Sequence, residues 1–251
     1  MRYLITFSYD GSKFKGYQKQ PRLKTVQGEI EKALKELNTE PVTIHASGRT
    51  DAGVHALNQK AHFDLEIDIT PEKLHKALNS LLNDYIYVKK VEEVDSTFHA
   101  RFNVSAKEYI YKINMGEYDP IEKDYVFQYN KKLDLVEMER ALKYLEGTHD
   151  FKSFSKADEE KEDFTRTIIQ TNLIRNIKNV NKFVISFLGT GFLRYQVRNM
   201  VGVLLEIGEG KRKSEDILEI LEAKDRRKAG ITAPPEGLYL NDVYYRWMIE
   251  C

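Results

Sequence analysis

The sequence predicts an α+β fold: two related ferredoxin-like units of order β-α-β-β-α-β, sharing an extended mixed or antiparallel sheet with helices on one side. Three observations predict it. Short β-rich segments alternate with stretches whose apolar residues recur at helical spacing. Capping residues, Thr25 and Thr70, stand ahead of two of those stretches. The order of elements then recurs in the second half with longer parts, although no sequence repeat is visible.

In chain order, Tyr3 to Tyr9 (YLITFSY) reads as a strand ending at the turn signal Asp10-Gly11. Behind Thr25, the residues Val26, Ile30, Ala33, Leu34 and Leu37 mark a helix. Val42 to Ala46 is a short strand, and Leu57 to Ile67, with Ala61, Phe63, Leu65 and Ile67 alternating, a longer one. Thr70 opens a second helix with Pro71 at its first position, where a missing N–H costs no hydrogen bond. Its apolar face is Leu74, Ala77, Leu78, Leu81 and Leu82, and Tyr85 to Val91 is the strand that follows.

The second half reads as a strand at Tyr109 to Ile113, a helix at Leu135 to Leu145, and strands at Thr167 to Ile177 and Lys182 to Leu188 joined through Asn179 to Asn181. Arg194 to Ile207 is a strongly apolar helix, Ser214 to Leu221 a shorter one, and Leu238 to Trp247 the closing strand. The units join near Phe102 to Ala106, which places one domain at 1–103 and the other at 104–251.

Composition narrows the classes. At 251 residues and 41% hydrophobic the chain can bury a real core. No apolar run approaches the roughly 18 residues of a membrane span, and the start, MRYLITFSYDGSKF, lacks a signal-peptide core. The single cysteine, Cys251, permits neither an intrachain disulfide nor a cysteine-based zinc site. A cytoplasmic globular protein with no membrane partner is the expectation.

Lys+Arg and Asp+Glu both total 39, so net charge names no partner, but the charges are segregated. Gly11 to Gly28 carries Lys13, Lys15, Lys19, Arg22 and Lys24 without an acid, and with Phe14 and Tyr17 interleaved. Such a run attracts phosphates and offers stacking surfaces to unpaired bases, or is simply a solvated loop. Asp158 to Asp163 (DEEKED) is acidic instead.

The stretch that carries chemistry is Ala46 to Ala56, ASGRTDAGVHA, in which Gly48 and Gly53 bracket Arg49, Thr50 and Asp51 between β-rich segments. Glycines allow tight turns and close backbone approach, and loop acids on a rigid scaffold are common catalytic groups. The plainer reading is a surface turn whose aspartate caps a backbone N–H. The six histidines are scattered and lack the company of metal ligands; His55 and His62, beside the loop, read as structural or hydrogen-bonding groups.

GRTDAGVHA at Gly48 to Ala56 resembles the catalytic loop of the tRNA pseudouridine synthase A family. YDGSKFKGYQKQ, FHARFNVSAKEYIY, FLRYQVRNMVG and TAPPEGLYL resemble further motifs of that family in the same order along nearly the whole chain. The resemblance implies the pseudouridine synthase fold and isomerisation of uridine at positions 38, 39 and 40 of the tRNA anticodon stem-loop. It implies a homodimer, and neither cofactor nor metal.

Residue by residue, the resemblance makes Asp51 the nucleophile, at C1′, at C6, or through an elimination, and Arg198 the cation beside it. It makes Tyr109 the active-site tyrosine, stacking on the uracil and helping remove the C5 proton, with Tyr111 a core residue. Arg49 would hold the flipped nucleotide out of its stack, and Leu238 would wall the base. Lys13, Lys15 and Lys19, with Lys211, Arg212 and Lys213, would meet phosphates. A catalytically silent RNA-binding module on the same scaffold is the alternative reading, and an unrelated hydrolase using Asp51 a third.

Overall fold

The computed structural model describes residues 1–38, 40–156 and 163–246. The chain is α+β, a large mixed sheet with five helices among the described residues. It divides into two compact units, one of residues 1–105 together with the described residues from Tyr239 onward, the other Ala106–Leu238.

In the first unit the elements are β1 (Arg2–Tyr9), α1 (Val26–Leu37), β2 (His45–Ala46), β3 (His55–Asp64), α2 (Pro71–Leu81) and β4 (Ile86–Val94), the expected β-α-β-β-α-β order. β1 lies antiparallel between β3 and β4, and β2 pairs antiparallel with the far part of β3. Thr25 caps α1 by accepting from the Gly28 N–H, and Thr70 caps α2 by accepting from Lys73. Both caps satisfy backbone donors that a helix start leaves unpaired. Ile30 and Leu34 of α1, Leu74 and Leu78 of α2, and Tyr3, Ile5, Phe7 and Phe63 from the strands are 0% exposed and form this unit's core.

In the second unit β5 (Val104–Asn114) pairs antiparallel with β9 (Lys182–Gly189), which pairs with β8 (Thr165–Arg175), which pairs with β7 (Gly147–Asp150). A two-residue strand, β6 (Phe127–Gln128), runs parallel to the end of β5. The helices are α3 (Leu135–Tyr144), α4 (Gln196–Gly208) and α5 (Asp216–Ala223). Asp134 caps α3 through Val136 and Glu137, and α4 starts directly after Tyr195, whose φ of 66° is left-handed. That conformation is why α4 begins at Gln196 and not at Arg194 as its apolar spacing suggests.

The last strand, β10 (Leu238–Tyr245), differs most from expectation. Read from sequence as the end of the second unit, it belongs with the first from Tyr239 onward, running parallel to β3 through Tyr239↔His55 and Leu240↔Ala56. Buried Lys60 of β3 faces Asp242 of β10 at 3.5 Å, a contact that helps keep the strand there. Its expected continuation to Trp247, and all of the acidic stretch save Asp163, lie outside the described residues. No helix among them is long and apolar enough to cross a membrane.

Candidate active site

The loop from Ser47 to Val54 joins β2 to β3 and is tied to β3 at its entry. The Ser47 N–H donates to Lys60 O at 2.8 Å and its hydroxyl to Gln59 Oε1 at 2.7 Å, while Gln59 Nε2 donates to Gly48 O at 3.0 Å. At its exit the Val54 N–H closes a turn on Asp51 O at 3.2 Å, and Gly53 sits at φ +80°, a conformation costly for other residues. Along the loop Arg49 is exposed, Thr50 buried and Asp51 half-buried. The aspartate thus keeps contact with solvent while the residue before it anchors the backbone.

The anchor is the motif that follows β1. The Tyr9 hydroxyl lies 2.8 Å from Thr50 Oγ1, and the Tyr17 N–H donates to Thr50 O at 3.1 Å. Gly16, at φ +94°, passes so close that a Cβ there would stand 3.2 Å from Thr50 O and 3.4 Å from Ala52 N. Gly11 is tighter still: its Cβ would fall 2.0 Å from Val54 O, and its N–H donates to His55 Nδ1 at 3.1 Å. Buried His55 therefore accepts a backbone hydrogen bond and stacks on Tyr239, with centroids 4.6 Å apart. Both histidines beside the loop are structural, since His62 Nδ1 likewise accepts from the Ala100 N–H.

Of the cations expected at phosphates, Lys13, Lys15 and Lys19 stand on this same segment but differ, while Lys211 pairs with Glu209 and Arg212 with Glu206 in the second unit. Lys19 is paired with Glu31 at 2.8 Å. Lys13 places its ammonium 5.8 Å from the Tyr85 ring centroid, with Lys24 at 5.2 Å from the same ring. Lys15 is exposed.

In the second unit Tyr109 sits on β5 opposite Phe187 of β9, 9% exposed, with the ring of Phe192 edge-on at 5.1 Å. Tyr111, two residues on, is 0% exposed and donates its hydroxyl to Pro234 O at 2.7 Å, the core role expected of it. Arg198, in the first turn of α4, donates from Nε to Ala233 O at 2.7 Å and lies over the Tyr195 ring at 5.1 Å. The Ala233 N–H returns a bond to Arg198 O at 3.0 Å. This reciprocal clamp needs Gly202, where a Cβ would lie 2.0 Å from Ile231 O. Arg226 ties the same loop down through Gly230 O, Asn199 Oδ1 and Thr232 Oγ1. Leu238 is buried and donates its N–H to Pro235 O. Burial pushes the Glu236 carboxyl up, against the pull of the Arg198 charge.

The first unit thus holds Asp51, Arg49, Lys13, Lys15 and Lys19, the second Tyr109, Arg198 and Leu238. Sequence reasoning missed Tyr9, Thr50 and Gly16 as supports of the loop and Tyr85 as a ring between two lysines. The signal for Tyr9 and Gly16 lies in YDGSKFKGY and that for Thr50 in GRTDAGVHA, segments whose lysines and aspartate stand out more than their tyrosine, glycine and threonine.

By its relatives the chain falls in a class of RNA-modifying enzymes, the pseudouridine synthases. The tRNA pseudouridine synthase family matches this chain over residues 5–103 and 141–246, and the chain belongs to that family. It is similar to the tRNA pseudouridine synthase A of Exiguobacterium sp. (strain ATCC BAA-1283 / AT1b), 48% identical over 244 residues covering 97% of this chain and 98% of that protein. The protein of the same name from Geobacillus sp. (strain WCH70) is 46% identical over 246 residues, 97% of this chain and 98% of its own. That of Limosilactobacillus reuteri (strain DSM 20016) is 44% identical over 248 residues, 97% and 96%.

Proposed function

We propose that this protein isomerises uridine to pseudouridine in tRNA, at positions 38, 39 and 40 of the anticodon stem-loop, with Asp51 as nucleophile. The observation that carries the reading is the full-length similarity to tRNA pseudouridine synthase A, at 48% identity, with Asp51 on a braced and half-buried loop.

In this reading the target nucleotide is flipped from its stack, with exposed Arg49 filling the gap, because C1′ and C5 are unreachable inside a helix. The carboxylate divides the reaction by forming and releasing a bond to carbon. The N1–C1′ bond breaks, the uracil turns, C5 bonds to C1′, and the C5 proton leaves to water while N1 gains one. Tyr109 stacks on the base and assists that proton's departure. Arg198 is the cation that keeps Asp51 ionised, since burial alone would favour the neutral acid. Leu238 supplies apolar wall. A homodimer acting in the cytoplasm completes the reading.

Release of tritium from tRNA labelled at uridine C5 tests it. The wild-type protein releases label, and Asp51→Asn drops release to background while tRNA is still retained on a filter. Retention without release by the wild type would favour the alternative, an RNA-binding module without chemistry. Wild-type release by Asp51→Asn would remove the nucleophile assignment.

A further inference from the structure

We propose that Tyr9 is a positioning residue for Asp51, acting through the hydroxyl of Thr50. The inference rests on the reading of Asp51 as the nucleophile and adds a role for a residue that never meets the substrate.

Tyr9 is the last residue of β1 and 5% exposed, so its ring is held by the core of the first unit. Its ring lies 6.0 Å from Phe7 and 6.5 Å from Tyr17, contacts that a phenylalanine would keep. What only tyrosine supplies is the hydroxyl, 2.8 Å from Thr50 Oγ1. Burial pushes the Tyr9 phenol up to about 12, against hydrogen bonds to Thr50 and Gln59, so it keeps its proton at any working pH.

Thr50 is then held at two atoms. Its side chain is fixed by Tyr9, and its carbonyl, one bond from the Asp51 nitrogen, by the Tyr17 N–H at 3.1 Å. Gly16, at φ +94°, lets the supporting segment run close beside this stretch, where a Cβ would stand 3.2 Å from Thr50 O and 3.4 Å from Ala52 N. On the other side the Val54 N–H holds Asp51 O. The peptide groups on either side of the Asp51 α-carbon are thus both held, which fixes where its side chain leaves the backbone.

A nucleophile gains rate from such confinement, and misplacement by about 1 Å costs on the order of a hundredfold. Binding of tRNA gains nothing from it, because Tyr9 and Thr50 are both buried. The contact should therefore appear in the rate of the chemical step and not in affinity.

The experiment compares Tyr9→Phe, Thr50→Val, the double variant and Thr50→Ser, measuring single-turnover tritium release at saturating tRNA, filter retention and thermal unfolding. Each of the first two should slow release roughly 10- to 100-fold with near-unchanged retention and a folded protein at assay temperature. Because both remove one shared hydrogen bond, the double variant should be no slower than the slower single one. Thr50→Ser, which keeps a hydroxyl, should recover most of the rate. Wild-type release by Tyr9→Phe, multiplication of the two losses in the double variant, or losses matching the unfolded fraction would each overturn the positioning role. None of these outcomes touches the proposed reaction, whose own failure is read from the wild type and from Asp51→Asn.

Discussion

Buried tyrosines show how a single hydroxyl is handled in this protein. Tyr3 donates to Ile69 O, Tyr111 to Pro234 O and Tyr245 to Ala100 O, and Tyr9 pairs with Thr50. Each ring sits in the core and each oxygen finds a partner, as burial of a polar group requires. Tyr17 departs from the pattern. It is 2% exposed, and its hydroxyl has no hydrogen-bond partner among the described residues. Burial pushes that phenol well above its ordinary value, so the oxygen is neutral but desolvated. Tyr17 serves the Asp51 loop with its backbone N–H, which any residue but proline would supply. Tyr17→Phe should therefore stabilise the protein by about 1 kcal/mol, seen as a rise of about 2–4 °C in Tm for a chain of this size. A fall in Tm would mean that the hydroxyl is satisfied in solution.

Among the elements, β2, β3 and the turn after β4 assemble three imidazoles that look unrelated along the chain. His45 faces His62 across the β2–β3 pair, with rings stacked 5.0 Å apart, and His99 meets His62 edge-on at 4.6 Å. Burial lowers the His62 pKa to about 4, helped by His99, Arg2 and His45 and opposed by Asp64. Burial lowers His99 as well. The folded protein thus keeps His62 neutral, whereas the unfolded chain takes a proton near pH 6.5. Stability from this ring is complete above about pH 6.5 and is lost as pH falls toward about 4, because only the unfolded state gains protons in that window. Denaturant midpoints should fall on acidification from pH 7 to pH 4.5, and His62→Gln, whose amide oxygen can still accept from the Ala100 N–H, should flatten that slope. An unaltered slope in the variant would place the acid sensitivity elsewhere. The same scale marks where local reading ends. Capping threonines and apolar spacing located α1 and α2 to within a residue or so, because both signals lie inside the helix itself. β3 was expected at Leu57 to Ile67 and runs His55–Asp64, and β6 and β7 were not expected at all. Two- and four-residue strands are defined by their partners, and partners leave no period in the sequence.

For the molecule as a whole the net charge is zero, so the placement of its cations is what a salt titration of tRNA binding would read. Phosphate contacts release counterions, so each one steepens the fall of affinity with salt. Lys13 and Lys15 are exposed, whereas Lys19 is compensated by Glu31. Neutralising Lys13 and Lys15 together should lower the slope of log affinity against log salt by about one unit or more. Lys19→Ala should change it least. An equal effect of all three would show that the Glu31 pair opens when tRNA binds.

The amino-acid sequence by itself determined the family, the α+β class, the order of the first unit's elements and the Asp51 loop. All of these rest on contiguous residues: capping positions, apolar periods, and a nine-residue motif whose glycines and aspartate stand together. Only the tertiary structure decided that YDGSKFKGY supports that loop through Tyr9, Gly16 and Tyr17, that the last strand returns to pair with β3, and that three histidines share one corner. Those facts arise where distant stretches are brought within hydrogen-bonding range. Such contacts obey distance and burial, and neither is written in the spacing of residues along a chain.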